Sequence, residues 1–131
     1  MSKVPITDLR FERGIFFAKE TGQISAEDAL LWLETLRSCA AENQTPIVIL
    51  IDARELTFIS TTAQKIFSKA AETPNVKVAA VAASTRLATQ LSRIVGLLSR
   101  VRQTHDTHVF HTLEEATRFA QYQASDVAAR T

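Results

Sequence analysis

The stretch that decides the fold is "IVILIDARELTFISTTAQKIF", residues 47–67. It opens with five consecutive apolar residues, four of them β-branched, which is typical of a strand covered on both faces of a sheet. After a polar segment, helical spacing of apolar residues predicts a helix from about Ser60 to Ala71. Three consecutive hydroxyl residues, Ser60, Thr61 and Thr62, therefore lie where the chain enters this helix.

Strand and helix patterns alternate on both sides of this stretch. Each predicted helix is long enough to connect two parallel strands by a right-handed crossover. We therefore predict an α/β fold with a mixed sheet of four or five strands, parallel strands at its core and about four helices. The first extended segment contains Gly14, at either a turn between two strands or a bulge, and it forms the antiparallel part. The predicted segments are extended structure at 9–21, a helix at 25–40, strands at 47–51, 76–83 and 108–111, a helix at 84–102 and a last helix from 112.

The composition indicates an ordinary globular protein. The 131 residues predict a single domain, with an ordered core at about 6–122 and a frayed C-terminal tail at 123–131. The net charge of +1 gives no reason to expect nucleic acid as a partner. The longest apolar run is too short to span a bilayer, and the N-terminus does not resemble a signal peptide. The single cysteine excludes an internal disulfide, which favours a cytoplasmic location.

The order of these segments resembles the STAS domain, the fold of bacterial anti-sigma-factor antagonists, and in particular its SpoIIAA-like branch. The resemblance rests on "GQISAEDALLWLETL" (22–36), on residues 47–67, on "VKVAAVAAS" (76–84) and on "HVFHTLEEATRFA" (108–120). It implies a non-catalytic, cytoplasmic, bacterial protein-interaction module of signal transduction. The implied partner is a protein, such as an anti-sigma-type kinase.

The antagonists carry Asp-Ser-Ser/Thr-Gly at the entry to the second helix, and the first hydroxyl after the Asp is phosphorylated. On this chain the Asp falls on Ser60, the phosphorylated hydroxyl on Thr61, the next hydroxyl on Thr62 and the Gly on Ala63. The hydroxyls are kept, whereas the acidic residue and the glycine are not. A hydroxyl here also caps a helix, and Thr61 with Gln64 fits a capping box. A cap and a phosphorylation or anion site both remain open.

A second group of candidates lies beyond the predicted strands, where open parallel sheets bind ligands. It contains Asp52, Arg54 and Ser84. Arg86, Arg93 and Arg100 follow at seven-residue intervals, which places them on one face of the third helix. Such a stripe binds phosphates, lipid headgroups or an acidic partner, or is simply a solvated face. The alternative function is therefore a module of STAS or Sec14-like type that binds a small ligand or a lipid headgroup.

No spacing in the sequence indicates a catalytic or metal centre. His108 and His111 are predicted to point to opposite faces of a short strand, with His105 in the preceding loop, so one metal ion could not easily bind all three. No glycine-rich phosphate loop is present, and we expect neither enzyme activity nor a cofactor.

Apolar residues beside the predicted inner stripes suggest self-association. Val95 and Leu97 on the third helix, and Leu31 and Trp32 on the first, are expected to remain exposed. A homodimer would bury them, although the C-terminal tail could instead cover one patch.

Overall fold

The structure is a computed structural model that describes residues 6–90 and 105–130. Within these ranges the chain forms five strands and four helices, of which the third helix, α3, is described only at residues 85–90. The other elements are β1 (Ile6–Glu12), β2 (Ile15–Ile24), α1 (Ala26–Glu42), β3 (Ile47–Ile59), α2 (Thr61–Ala70), β4 (Val76–Ala83), β5 (Asp106–Phe110) and α4 (Leu113–Ala129).

The five strands form one mixed sheet in the order β1-β2-β3-β4-β5. β1 is antiparallel to β2, and every later neighbour is parallel. The central strand β3 pairs Ile49 with Ala79 of β4 and with Phe16 of β2. This arrangement confirms the mixed sheet with parallel core strands and an antiparallel N-terminal part.

The loop between β1 and β2 consists of Arg13 and Gly14. Both residues have positive φ angles, 52° and 81°. Two consecutive residues with positive φ are typical of the tight hairpin turn whose twist matches that of the flanking strands. Gly14 therefore marks a turn between two strands, and the bulge interpretation is excluded at this position.

The apolar run at 47–51 lies at the centre of two cores. Ile47, Ile49 and Ile51 point to the face that α1 and α2 cover. Val48 and Leu50 point to the opposite face, which α4 covers. Because side chains alternate along a strand, a strand buried on both faces has no polar position to interrupt its apolar run.

Alanines allow α4 to approach the sheet closely. Ala80 and Ala82 of β4 are fully buried in the same cluster as Ala116 and Ala120 of α4. Small side chains on both elements shorten the distance at which the helix and the strand make contact. The alanines of β4 therefore face a closely packed helix.

Two elements are longer than the sequence predicted. β3 continues beyond residue 51 to Ile59, because β2 pairs with it over that whole length. The predicted fraying after Tyr122 is wrong, because α4 continues to Ala129. The Lys77 ammonium lies 2.6 Å from the Asp126 carboxylate and ties the last turns of α4 to β4.

The prediction that Trp32 is exposed is wrong. Its side chain is buried, and its ring makes edge contacts with Phe16, at 6.2 Å between centroids, and with Phe67 of α2, at 5.2 Å. The reason is that α1 packs against α2 as well as against the sheet, so its apolar face is wider than a single stripe.

Candidate functional site

The start of α2 is built by Ser60 rather than by Thr61. Ser60 is the N-cap in extended conformation, and its hydroxyl accepts a hydrogen bond from the Ala63 amide at 3.1 Å. The Gln64 side chain donates to the Ile59 carbonyl at 3.0 Å. The predicted capping box between Thr61 and Gln64 is therefore wrong, because the N-cap is Ser60, one residue earlier in the chain. Each of the three consecutive hydroxyl residues is a suitable N-cap, so the sequence alone does not show at which of them the helix begins.

Thr61 and Thr62 occupy the first turn of α2, and both side chains are exposed. Neither hydroxyl makes a hydrogen bond within the part of the chain that the structure describes. The first turn of α2 contains no acidic side chain, so none offsets the partial positive charge of the helix N-terminus. Both hydroxyls are thus accessible, and their surroundings favour an added negative charge.

An exposed aromatic side chain lies just before this helix. Phe58 is 51% exposed, two residues ahead of the Ser60 cap. We call the three exposed residues Phe58, Thr61 and Thr62 the β3–α2 surface. The pairing of β3 with β4 ends at Ala53 and Ala83, so residues 54–59 have a strand partner on one side only among the described residues. An exposed aromatic side chain next to a strand edge that no described strand pairs with is suited to contact with another protein.

Asp52 does not lie at a strand end, because β3 continues beyond it to Ile59; that prediction is wrong. Its buried carboxylate accepts two hydrogen bonds from the Arg54 guanidinium, at 2.8 Å and 2.9 Å. Burial alone would raise the pKa of Asp52, but the hydrogen bonds from Arg54 outweigh burial and hold this pKa below its ordinary value. The pair is a structural ion pair within β3, and about half of the Arg54 side chain is exposed.

A second ion pair completes a charge-balanced cluster on β2 and β3. The Lys19 ammonium lies 2.9 Å from the Glu55 carboxylate. Lys19 is also the β2 neighbour of Asp52 in the sheet register. With two cations and two carboxylates paired in this way, the cluster has no net charge that would attract a free anion.

The structure describes only some of the remaining residues of the predicted ligand-binding group. Ser84 caps α3, and its hydroxyl accepts from the Leu87 amide at 3.3 Å. Arg86 lies in the first turn of α3 with its side chain exposed. Arg93 and Arg100 lie outside the described residues, so the basic stripe and the headgroup-binding alternative stay predictions.

The histidines and Cys39 do not form a cluster. His105 is buried before β5, while His108 and His111 are exposed. Within residues 6–90 and 105–130, no group of three or more His, Cys, Asp or Glu side chains is placed to hold a metal ion. The Cys39 thiol is partly buried, and burial raises its pKa, which lowers its reactivity.

The proposed homodimer surface is likewise described only in part. Leu31 is 64% exposed on the outer side of α1, and Leu30 beside it is also exposed. Val95 and Leu97 lie outside the described residues. No helix in the described part of the chain is both long and apolar enough to cross a membrane.

Sequence reasoning did not single out Glu20. Every second side chain of β2, at Phe16, Ala18 and Glu20, is buried in the core, and Glu20 is the charged one. The period-2 pattern of "FFAKE" was the signal that could have found it. Phe58 was also missed, because its exposure depends on where the pairing of β3 with β4 ends.

The comparisons with known proteins agree with this architecture. No protein-family model matches the chain, and no curated protein sequence matches it. Among solved structures, it is similar to an uncharacterised protein of the DUF3478 family with a SpoIIAA-like fold from Shewanella loihica PV-4. That match has a TM-score of 0.61 and 23% identity over 81% of this chain and 83% of the other. It is also similar to an anti-sigma factor antagonist from Mycobacterium paratuberculosis, with a TM-score of 0.61 and 17% identity over 92% and 97% of the two chains. The chain therefore has the SpoIIAA-like fold, as its resemblance to the STAS domain implies.

Proposed function

We propose that this chain is a non-catalytic, cytoplasmic regulatory domain that binds a protein partner through the β3–α2 surface. The observation that carries the proposal is that Phe58 is half exposed three residues before Thr61 along the chain, where Thr61 and Thr62 are also exposed. An aromatic side chain supplies apolar contact area to a partner, and neighbouring hydroxyls supply hydrogen bonds at its rim. The likeness to an anti-sigma factor antagonist makes an anti-sigma-type kinase of a bacterial host the first partner to test.

We further propose that phosphorylation of Thr61 switches this contact off. A phosphate adds about −1.5 to −2 charges at pH 7 and would lie at the positive end of the α2 dipole. The absence of an acidic side chain from the first turn of α2 leaves this position free of local repulsion. The same charge beside Phe58 would have to be desolvated when a partner covers the surface, which opposes binding.

The two departures from the antagonist motif are compatible with this proposal. Ser60 replaces the Asp and performs the N-cap role for which both residue types are suited. Ala63 replaces the Gly, and its methyl group is fully buried, so it fills space in the core. Neither replacement removes the exposed hydroxyl of Thr61 or changes its place in the first turn.

The test is a titration of the purified protein against each anti-sigma-type kinase of the native host, followed by calorimetry. Phe58→Ser and Thr61→Asp should each weaken binding at least about tenfold, which corresponds to about 1.4 kcal/mol. Thr61→Ala should bind as the unmodified protein does. Mass spectrometry of protein isolated from the host should find the phosphate on Thr61, or on the neighbouring Ser60 or Thr62.

The matched control is Tyr122→Ser, which removes an exposed aromatic side chain from α4, on the opposite face of the sheet from α2. It should leave binding unchanged. Binding that ignores both Phe58→Ser and Thr61→Asp would remove the β3–α2 surface from consideration. Binding that responds to Phe58→Ser alone would keep the surface and remove the phosphate switch.

A further inference from the structure

A cavity of about 90 Å³ lies between the sheet and the α1–α2 layer. Its walls are mainly apolar side chains of the central strands and of α2, among them Ile49, Ile51, Leu56, Val81 and Phe67. By comparison with the roughly 150 Å³ cavity that accepts benzene, this volume suits a molecule of about four or five heavy atoms. The cavity is separate from the β3–α2 surface, whose side chains point outward.

Two polar atoms on the cavity wall have no hydrogen-bond partner among the residues that the structure describes. They are Glu20 Oε1 and Trp32 Nε1, and their residues are only 3% and 2% exposed. Both residues line the cavity. Buried polar atoms in folded proteins are nearly always hydrogen-bonded, and leaving one unpaired costs about 1–3 kcal/mol. Two such atoms on one cavity wall point to a partner outside the described residues 6–90 and 105–130.

The Trp32 ring cannot readily turn to find another partner. Phe16 and Phe67 contact it at 6.2 Å and 5.2 Å between ring centroids, at interplanar angles of 62° and 61°. These edge contacts come from the sheet on one side and from α2 on the other. The indole N–H is therefore held at the cavity wall by packing, whereas a buried tryptophan N–H usually reaches a partner.

The cavity favours an uncharged occupant. Burial raises the pKa of Glu20 to about 8, so at pH 7 its carboxyl group is mostly protonated and can both donate and accept. His105 also lines the cavity, and burial lowers its pKa, which keeps the imidazole neutral. The described lining residues include no lysine or arginine that could neutralise an anion.

We infer that this cavity is a binding site for a small, uncharged, mainly apolar molecule with one hydroxyl or amide group. That group accepts a hydrogen bond from the Trp32 indole N–H and donates one to Glu20 Oε1. The apolar remainder of the molecule contacts the aliphatic wall. This site goes beyond the proposed protein docking, because neither its residues nor its ligand belongs to the β3–α2 surface.

The test uses 1-butanol as the probe, with xenon as an apolar probe that has no hydrogen-bonding group. Trp32 is the only tryptophan of the chain, so its indole N–H gives a single unambiguous signal in a nitrogen-15 NMR spectrum. 1-Butanol should shift this signal in a saturable manner. Glu20→Met keeps the side-chain length and removes the acceptor, so it should weaken 1-butanol binding about fivefold and leave xenon binding unchanged.

A second variant tests the location without touching the polar atoms. Ala79→Val adds two methyl groups at the cavity wall and should abolish the response to both probes, while Tyr122→Ser on the opposite face should change neither. Thermal unfolding of each variant confirms that it is folded. The inference would be overturned if the Trp32 signal of the wild type does not saturate with 1-butanol. It would also be overturned if the Trp32 indole N–H contacts only bound water. Equal binding of 1-butanol to wild type and Glu20→Met would overturn the role assigned to the carboxyl group.

Discussion

The Arg54 guanidinium donates two hydrogen bonds, both shorter than 3 Å, to the Asp52 carboxylate two residues away on the same strand. Residues i and i+2 of a strand lie on one face, so the two side chains can meet along β3. Asp52 is buried while half of Arg54 remains exposed, so the arginine satisfies a carboxylate that would otherwise be unpaired. The ion pair therefore satisfies a buried carboxylate directly after the apolar run of β3.

Removing the guanidinium should therefore destabilise the fold. We expect Arg54→Ala to lower the free energy of unfolding by about 1–2 kcal/mol at pH 7, because within the described residues the buried Asp52 then keeps only its 3.3 Å hydrogen bond from the residue 54 amide. Urea denaturation measures the change. Arg118→Ala is the matched control: it breaks an exposed ion pair with Glu114 and should cost less than about 0.5 kcal/mol. An equal loss of unfolding free energy in the two variants would contradict a stabilising role for the Asp52–Arg54 ion pair.

Glu20 should make stability decline as the pH rises. The carboxyl loses its proton near pH 4.5 in the unfolded chain but only at about pH 8 in the fold, because burial disfavours the charged form. Between these values the folded state holds one more proton, so the free energy of unfolding falls by about 1.4 kcal/mol per pH unit. The contribution is fully present below pH 4.5 and is lost by about pH 8.

Glu20→Gln removes this titration and keeps the shape. Its stability advantage over wild type should grow from pH 5 to pH 8 and reach up to about 3 kcal/mol at pH 7. Urea denaturation at several pH values measures this difference. His105 has a pKa that burial lowers, so its own contribution is lost as the pH falls below 6.5, and it is common to both proteins. Parallel pH curves for the two proteins would show that Glu20 is ionised in the fold.

The architecture could be predicted from local patterns because its determinants are local. The apolar run at 47–51 and the helix starts at Ser25 and Thr112 each depend on interactions within a few residues, and the structure contains all three. The errors concern contacts between distant segments. The length of β3 depends on pairing with β2, and the burial of Trp32 depends on α2 packing against α1.

The candidate site divides in the same way. The sequence located the hydroxyl residues at the start of α2, but three adjacent candidates could not be ranked as the cap without the backbone conformation. The cavity beside Glu20 and Trp32 is the space left where two helices and the sheet fail to fill the layer between them. No pattern along the chain encodes such a space, because it depends on side chains from six elements.

The last turns of α4 should depend on Lys77. Its ammonium contacts the Asp126 carboxylate and approaches the Gln123 carbonyl at 3.4 Å. Lys77→Met keeps the aliphatic stem and removes the charge, so amide hydrogen exchange at residues 123–129 should accelerate while residues 113–120 stay protected. Exchange measured by NMR distinguishes the two segments, and Arg118→Ala serves as a control in the first half of the helix. Unchanged exchange at 123–129 would mean that packing alone holds the end of α4.

The division of roles between Ser60 and Thr61 can be separated by stability measurements. Ser60 accepts the Ala63 amide and satisfies one of the free N–H groups of α2, whereas the Thr61 hydroxyl has no such bond among the described residues. Ser60→Ala should therefore lower the free energy of unfolding by about 1 kcal/mol, and Thr61→Ala should change it by less than about 0.5 kcal/mol. Urea denaturation of the two variants under identical conditions checks both values. A larger loss for Thr61→Ala than for Ser60→Ala would place the cap on Thr61, and a threonine that caps the helix would not be free to accept a phosphate.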